Sequence, residues 1–310
     1  MTAHALVIGE ALVDVVVRSD GPALSHPGGS PANVALGLAR LGRDVELLAY
    51  FSTDANGELI REHLEASGVA LARGTRDAHR TSVATAHIGP DGAATYDFDL
   101  TWAIAATADP RREPVVVHTG SIASVLQPGA DDVRRIVAEH RATASVTYDP
   151  NARPSLMGEP AQARAEVERM VALADVVKVS DEDLAWLAGT EVGSPGVEEL
   201  ARGWLALGPA LVVITRGGDG ATALQPGDRE LTVEAPRVDV ADTVGAGDSF
   251  MGGLIDGLWS AGVLGRDRRP ALESIDDATL TGILERCARI AAITVSRAGA
   301  NPPGSAELGE

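Results

Sequence analysis

The run Ala241-Asp242-Thr243-Val244-Gly245-Ala246-Gly247-Asp248-Ser249-Phe250 places a carboxylate at each end of a turn made of small residues. The residues from Asp248 to Leu258 have helical character. Gly245, Ala246 and Gly247 can bring successive backbone N–H groups close to a ligand, because no bulky side chain intervenes. A helix N-terminus behind them adds its dipole, so the turn predicts a hole for phosphoryl oxygens. Asp248, at the mouth of that hole, can accept a proton from an attacking hydroxyl. Gly-x-Gly alone would read equally as a helix start with Asp248 as a dipole partner in the first turn. The second acid, Asp242, favours the chemical reading.

A second segment, Gly28-Gly29-Ser30-Pro31-Ala32-Asn33-Val34-Ala35-Leu36-Gly37-Leu38-Ala39-Arg40-Leu41-Gly42, spells a capped helix. Ser30 suits the N-cap, Pro31 the first helical position and Gly42 the position after the C-cap. Val34, Gly37, Leu38 and Leu41 recur with helical period and predict the core-facing stripe. Asn33 lies off that stripe beside the paired glycines. There it can offer a donor and an acceptor to the hydroxyls of a polyol.

These segments need a frame. Short β-branched runs (HALVIGE, DVELLAY, EPVVVH, ASVTYDP, ADVVKVS, ALVVIT) alternate with helix-like segments near 56–67, 129–140, 160–173 and 196–207. Such alternation predicts βαβ units and an α/β fold: a doubly wound, mostly parallel sheet with helices on both faces. Ligands on such sheets bind at the carboxyl ends of the strands. Residues 11–20 and 81–99 read instead as extended chain, the latter as a hairpin turning at GPDGA. We expect one domain over 1–310 with a small β lid formed by about 11–24 and 75–105.

The 310 residues carry 26 Lys plus Arg against 44 Asp plus Glu, a formal net charge of −18. That balance repels nucleic-acid phosphate and anionic membranes, so neither is expected as a partner. Cys287 is the sole cysteine and excludes an intramolecular disulfide. It sits in an apolar run and reads as a core residue. The seven histidines show no metal-ligand spacing. The N-terminal apolar run is broken by Glu10 and Asp14, and no stretch nears the ~18 residues of a membrane span. A cytoplasmic protein is expected.

Both glycine-rich segments resemble the two signatures of the ribokinase-like (pfkB) family of carbohydrate kinases, and the spelling of 28–42 is most similar to its fructokinases. The resemblance extends through GEALVD at the start, DPNARP at 149–154, KVSDEDLAWLAG at 178–189, TRGGDG at 215–220 and SRAGA near the end. It implies a kinase that moves the γ-phosphoryl group of Mg·ATP to a hydroxyl of a monosaccharide, fructose first. Asp248 would be the base and the Gly245, Ala246 and Gly247 amides the anion hole. Asp14, Gly28, Gly29 and Asn33 match positions that hold sugar hydroxyls. Lys178, Ser180, Thr215, Gly217 and Gly220 match the nucleotide side. Asp242, near SRAGA, resembles the family's monovalent-cation site and implies K⁺.

The pattern also departs from the family. Its Asn-x-x-Glu element stands here as Ser180 and Asp183, so the Mg²⁺ side falls to Asp183 through water, with Glu182 as the alternative carboxylate. Its Gly-x-Asp-x-x-Gly element begins with Ser52 instead of glycine. In DPNARP, Asn151 and Arg153 can reach substrate or phosphate, or Asp149 and Arg153 can form a structural pair. Among Tyr96, Phe98 and Trp102, Phe98 is the expected apolar wall over the sugar. The lid, with Val15, Val17, Val83 and Ile88, can also pair with its copy in a homodimer. Three rivals stand beside fructose phosphorylation. A 2-keto-3-deoxygluconate kinase would need a cation from Arg18, Arg80 or Arg153. A nucleoside kinase fits the GGSPAN spelling less well. A silent sugar-binding regulator would not need Asp248 and its glycine-rich turn.

Overall fold

The computed structural model describes residues 3–18, 22–89, 94–111 and 113–309. Its strands are β1 Ala5–Ile8, β2 Leu12–Arg18, β3 Leu24–Gly28, β4 Val45–Leu48, β5 Ala70–Leu71, β6 Val83–Ile88 and β7 Ala94–Asp99. They continue with β8 Val116–Gly120, β9 Ser145–Asp149, β10 Val176–Ser180, β11 Leu211–Thr215, β12 Ala221–Gln225 and β13 Arg229–Val233. The helices are α1 Ser30–Arg40, α2 Ala55–Glu65, α3 Gly129–His140, α4 Pro154–Met157, α5 Pro160–Val171 and α6 Asp181–Ala188. After them come α7 Pro195–Leu205, α8 Ala246–Ser260, α9 Arg269–Glu273, α10 Asp277–Val295 and α11 Ser305–Leu308.

The large sheet runs β13-β12-β11-β10-β9-β8-β1-β4-β5. All its pairs from β11 to β5 are parallel, and β12 and β13 add an antiparallel edge. Its strands are apolar on both sides for a reason visible in β1. Ala5 and Val7 join the cluster that packs α1, α2, α8 and α10 onto one face, while Leu6 and Ile8 join the cluster of α3, α5, α6 and α7 on the other. A strand covered on both faces reads as a near-continuous apolar run. All six strand-like runs form strands of this sheet, as expected.

Strand order reverses between β1 and β8: β4 and β5 follow to one side, β9, β10 and β11 to the other. A crevice opens at such a switch point, beyond the carboxyl ends of the two strands. Here those ends lead into Glu10 and Ser121.

The second sheet, β3-β2-β6-β7, has four strands. It contains the extended segments expected outside the βαβ rhythm, with β6 and β7 antiparallel. Most of the expected GPDGA turn, residues 90–93, lies outside the described residues. β3 goes beyond the expected lid boundary near residue 24. It pairs antiparallel with β2, matching Gly28 to Leu12 and His26 to Asp14, and so brings Gly28-Gly29 to the mouth of the crevice.

Candidate active site

The crevice is a cleft of about 310 Å³, at the small end of the range for small-molecule sites. Its lining comes from four places: the end of β1 with β2 (Glu10, Leu12, Asp14), the start of α1 (Gly29, Ser30, Asn33), the small sheet (Ala84, Phe98, Leu100) and the turn into α8 (Thr243 to Asp248). Ser121, Ile122, Asn151, Arg153 and Leu156 close it from the ends of β8 and β9.

Asp248 sits in the first turn of α8 and is 7% exposed. Three side chains donate to its carboxylate. Ser30 Oγ lies 2.6 Å from Oδ1, Asn33 Nδ2 2.8 Å from Oδ2, and Asn151 Nδ2 3.4 Å from Oδ1. A carboxylate held from three directions is oriented before any ligand arrives. Asn33 therefore commits one N–H of its amide to Asp248, leaving the second N–H and the carbonyl oxygen for other partners.

Ser30 differs from its expected place. The N-cap of α1 is Gly29, at φ 105°, and Ser30 is the first residue of the helix. Gly29 is required because a side chain there would meet the Glu10 carbonyl oxygen at 2.4 Å. Freed from capping, the Ser30 hydroxyl turns to Asp248. Gly42, at φ 85°, ends the helix as expected.

The turn before Asp248 is built by Gly245, at φ 78°, where an added methyl would strike Ala300 at 2.6 Å. The ladder of α8 begins with Ser249 N–H donating to Gly245 O, so the N–H groups of Gly247 and Asp248 precede it and are available to a ligand. The Ala246 N–H, expected as part of the hole, donates to Thr243 O at 3.3 Å. Asp242 braces the turn from outside, accepting from Val244 N at 3.0 Å and from Gly299 N, in SRAGA, at 2.8 Å.

Asp14 and Gly28 meet across the β2–β3 pair. A methyl on Gly28 would lie 2.0 Å from Asp14 Oδ2. Burial pushes the Asp14 carboxyl up to about 6, with Asp248 adding to the rise and Arg153 and His26 opposing it. Glu10 is more deeply set, and burial pushes it to about 7. It accepts hydrogen bonds from the Ser121 side chain and, at 3.3 Å, from Ala123 N. Ser121 (φ 52°) and Asn151 (φ 36°) both take left-handed backbone at the carboxyl ends of strands, a strained conformation that often marks a working site.

The alternative of an Asp149–Arg153 pair does not form. Asp149 is fully buried and paired with Lys178 Nζ at 2.7 Å. Arg153 Nη1 donates to Asn151 O, Asn151 Oδ1 and Ala152 O, which curls the guanidinium back onto its own turn at the cleft edge. Of the other two cations considered, Arg80 is ion-paired with Asp99 on the exposed small sheet, and the Arg18 side chain lies outside the described residues.

Phe98 lines the cleft at 37% exposure. Trp102 is 3% exposed and donates to Ala123 O at 3.0 Å, a core residue instead of a wall. The Tyr96 side chain lies outside the described residues.

The remaining candidates stand outside the cleft lining, at the ends of neighbouring strands. Ser180 caps α6 through Asp183 N at 3.0 Å, and burial raises the Asp183 carboxyl. Thr215 ends β11, with Gly217 (φ 50°) and Gly220 (φ 100°) in the turn that follows. A methyl on Gly220 would meet Val233 O at 2.0 Å. In the element that lacks its first glycine, Asp54 caps α2 at Gly57 N (2.8 Å) and accepts from Thr81 N (2.9 Å), a structural role.

Among the described residues, no group of three or more His, Cys, Asp or Glu could hold a metal ion. None of the described helices is long and apolar enough to cross a membrane. Sequence reasoning missed Glu10, Ser121 and the Ser30 hydroxyl as parts of the site. The available signal was Glu10 itself, a carboxylate at the end of a fully buried strand.

Known proteins resemble the chain over most of its length. A fructokinase from Klebsiella pneumoniae is 33% identical over 264 residues, covering 83% of this chain and 85% of that protein. A fructokinase double mutant from Vibrio cholerae, solved with fructose, ADP and potassium ion, superposes with a TM-score of 0.79 at 28% identity, covering 99% and 97% of the two chains. Aminoimidazole riboside kinase from Salmonella enterica, solved with aminoimidazole riboside and an ATP analog, gives a TM-score of 0.75 at 27% identity, covering 96% and 95%. The sequence pattern of the pfkB family of carbohydrate kinases matches residues 2–307, and the chain belongs to that family.

Proposed function

We propose that this carbohydrate kinase transfers the γ-phosphoryl group of ATP to a hydroxyl of fructose. The observation that carries the reading is Asp248. It is a buried carboxylate, held by Ser30 and Asn33, at the floor of a hexose-sized cleft and at the N-terminus of α8. The prevalence of fructokinases among the relatives supports fructose as the acceptor.

In this reading the sugar lies between Asp14, the Gly28-Gly29 backbone and Asn33, with Phe98 over its apolar face and Arg153 at the rim. Asp248 takes the hydroxyl proton as transfer proceeds. The Gly247 and Asp248 amides, with the dipole of α8, stabilise charge on the transferred group. Gly245 and Ala246 shape that turn. ATP lies along the ends of β10 and β11, near Lys178, Ser180, Thr215, Gly217 and Gly220.

The sparse acids there fit Mg²⁺, which usually binds through one or two carboxylates, water and substrate phosphates. Asp183 would reach it through water, and the bound ion would neutralise phosphate charge. Asp242 and nearby main-chain carbonyls offer the hard oxygens that suit K⁺. The small sheet acts as a lid over the sugar and offers its edge to a homodimer. A reaction that draws on ATP fits a cytoplasmic location.

The test is ADP release across fructose, glucose, aminoimidazole riboside, 2-keto-3-deoxygluconate and other monosaccharides. The reading expects kcat/KM for fructose at least about tenfold above glucose, or roughly 1.4 kcal/mol. A similar margin for the riboside or the sugar acid would replace fructose, and no turnover of any sugar would favour a silent binding protein.

A further inference from the structure

Asp149 touches two separate parts of the site, one toward the phosphate turn and one toward Asp248. Its Oδ2 accepts from Lys178 Nζ at 2.7 Å. That ammonium lies directly under the phosphate turn, since a methyl on Gly247 would sit 2.9 Å from it. Its Oδ1 accepts from Asn151 N at 3.2 Å and so closes the left-handed turn at Asn151, whose φ is 36°. From that turn Asn151 Nδ2 donates to Asp248 Oδ1.

Asp149 and Lys178 are both almost wholly buried. Taking two charges out of water is expensive. An apolar pair of the same volume would serve stability as well or better. The ion pair therefore calls for a reason other than holding the sheet together. Its two contacts supply one: an ammonium fixed beneath the phosphate turn, and an amide fixed on the base.

We propose that Asp149 is a positioning residue that couples the phosphate turn to the base, holding Lys178 under Gly247 with one oxygen and the Asn151 turn against Asp248 with the other. The inference rests on Asp248 as the base proposed above. Burial raises the Asp149 carboxyl to about 6 against the opposing pull of Lys178.

Two double variants separate the two contacts. Lys178→Met with Asp149→Asn removes both charges but keeps an acceptor for Asn151 N–H. Lys178→Met with Asp149→Leu removes that acceptor as well. Neither leaves a lone buried charge, so both should fold. With the best sugar of the panel, the first should lose about tenfold or more in kcat while sugar KM stays within about threefold. The second should lose about another tenfold in kcat at a similar melting temperature.

Asn151→Ala leaves the core untouched and should show that additional loss alone. Wild-type kcat in the first double, equal kcat in the two doubles, or wild-type kcat in Asn151→Ala would each overturn the proposal. Failure of the base assignment reads differently, as wild-type turnover in Asp248→Asn.

Discussion

Asn33 Nδ2 lies 2.8 Å from Asp248 Oδ2, although 215 residues separate them in the chain. The contact exists because α1 and α8 pack side by side on one face of the sheet with their first turns at the same crevice. The helices meet closely at Gly252, where an added methyl would just touch the Val34 carbonyl oxygen and the Leu38 nitrogen at 3.7 Å, an ordinary van der Waals contact. Two glycine-rich signatures that look independent in sequence thus form one constellation, with the base on one helix and its orienting donors on the other.

Gly28→Ala should injure the sugar side selectively. The new methyl would fall 2.0 Å from Asp14 Oδ2, and the carboxylate must move. Overpacking of this kind costs roughly 1–3 kcal/mol, so sugar KM should rise about tenfold or more while nucleotide KM holds. Steady-state kinetics with each substrate varied in turn checks this. An unchanged sugar KM would remove Asp14 from the sugar site.

The strands and their packing were legible because the buried runs are mostly apolar, as burial on both faces favours, and two charged exceptions, Asp149 and Lys178, pair with each other. Val34, Gly37, Leu38 and Leu41 are buried as their spacing predicts. The site was legible where backbone geometry restricts residue type, as at Gly29 and Gly245. It was not legible where a contact depends on tertiary register. Nothing local tells that Ser30 enters the helix and bonds Asp248, or that Asp149 selects Lys178 over the nearer Arg153. Residues 25–28 were missed as strand because His26-Pro27-Gly28 reads as a turn, and Pro27 is tolerated within the strand that forms the edge of the small sheet.

Glu10 should make stability depend on pH. Its carboxyl rises from 4.5 to about 7 in the folded chain, so the folded state keeps a proton that the unfolded chain releases. That contribution is fully present below pH 4.5 and is lost as pH rises through about 7, a change of about 3 kcal/mol at most. Glu10→Gln fixes the neutral form. Its melting temperature should therefore gain on wild type between about pH 5 and about pH 8. Parallel curves for the two proteins would contradict the buried, proton-holding Glu10.

Potassium should raise turnover, and Asp242 should carry the effect. Asp242 links the Val244 and Gly299 amides, so a cation beside it would stiffen the turn that presents Gly247. Replacing K⁺ by a bulky organic cation at equal ionic strength should slow wild type and leave Asp242→Ala at its own lower rate. Equal wild-type rates in the two salts would rule the site out.

The most direct test of the account is Asp248→Asn, with kcat and melting temperature measured on the same preparation. The amide keeps the size of the side chain but cannot take a proton. Its oxygen can accept from Asn33 while its NH₂ faces Ser30, whose hydroxyl can turn to accept. The account predicts that kcat falls by about 10²–10⁴-fold, the usual worth of general acid–base catalysis, with sugar and nucleotide binding nearly unchanged. If Asp248 only complements the dipole of α8, the same variant would lose roughly 0.3–1 kcal/mol of stability and keep its turnover. Near wild-type kcat in the folded variant would contradict the assignment of Asp248 as the base.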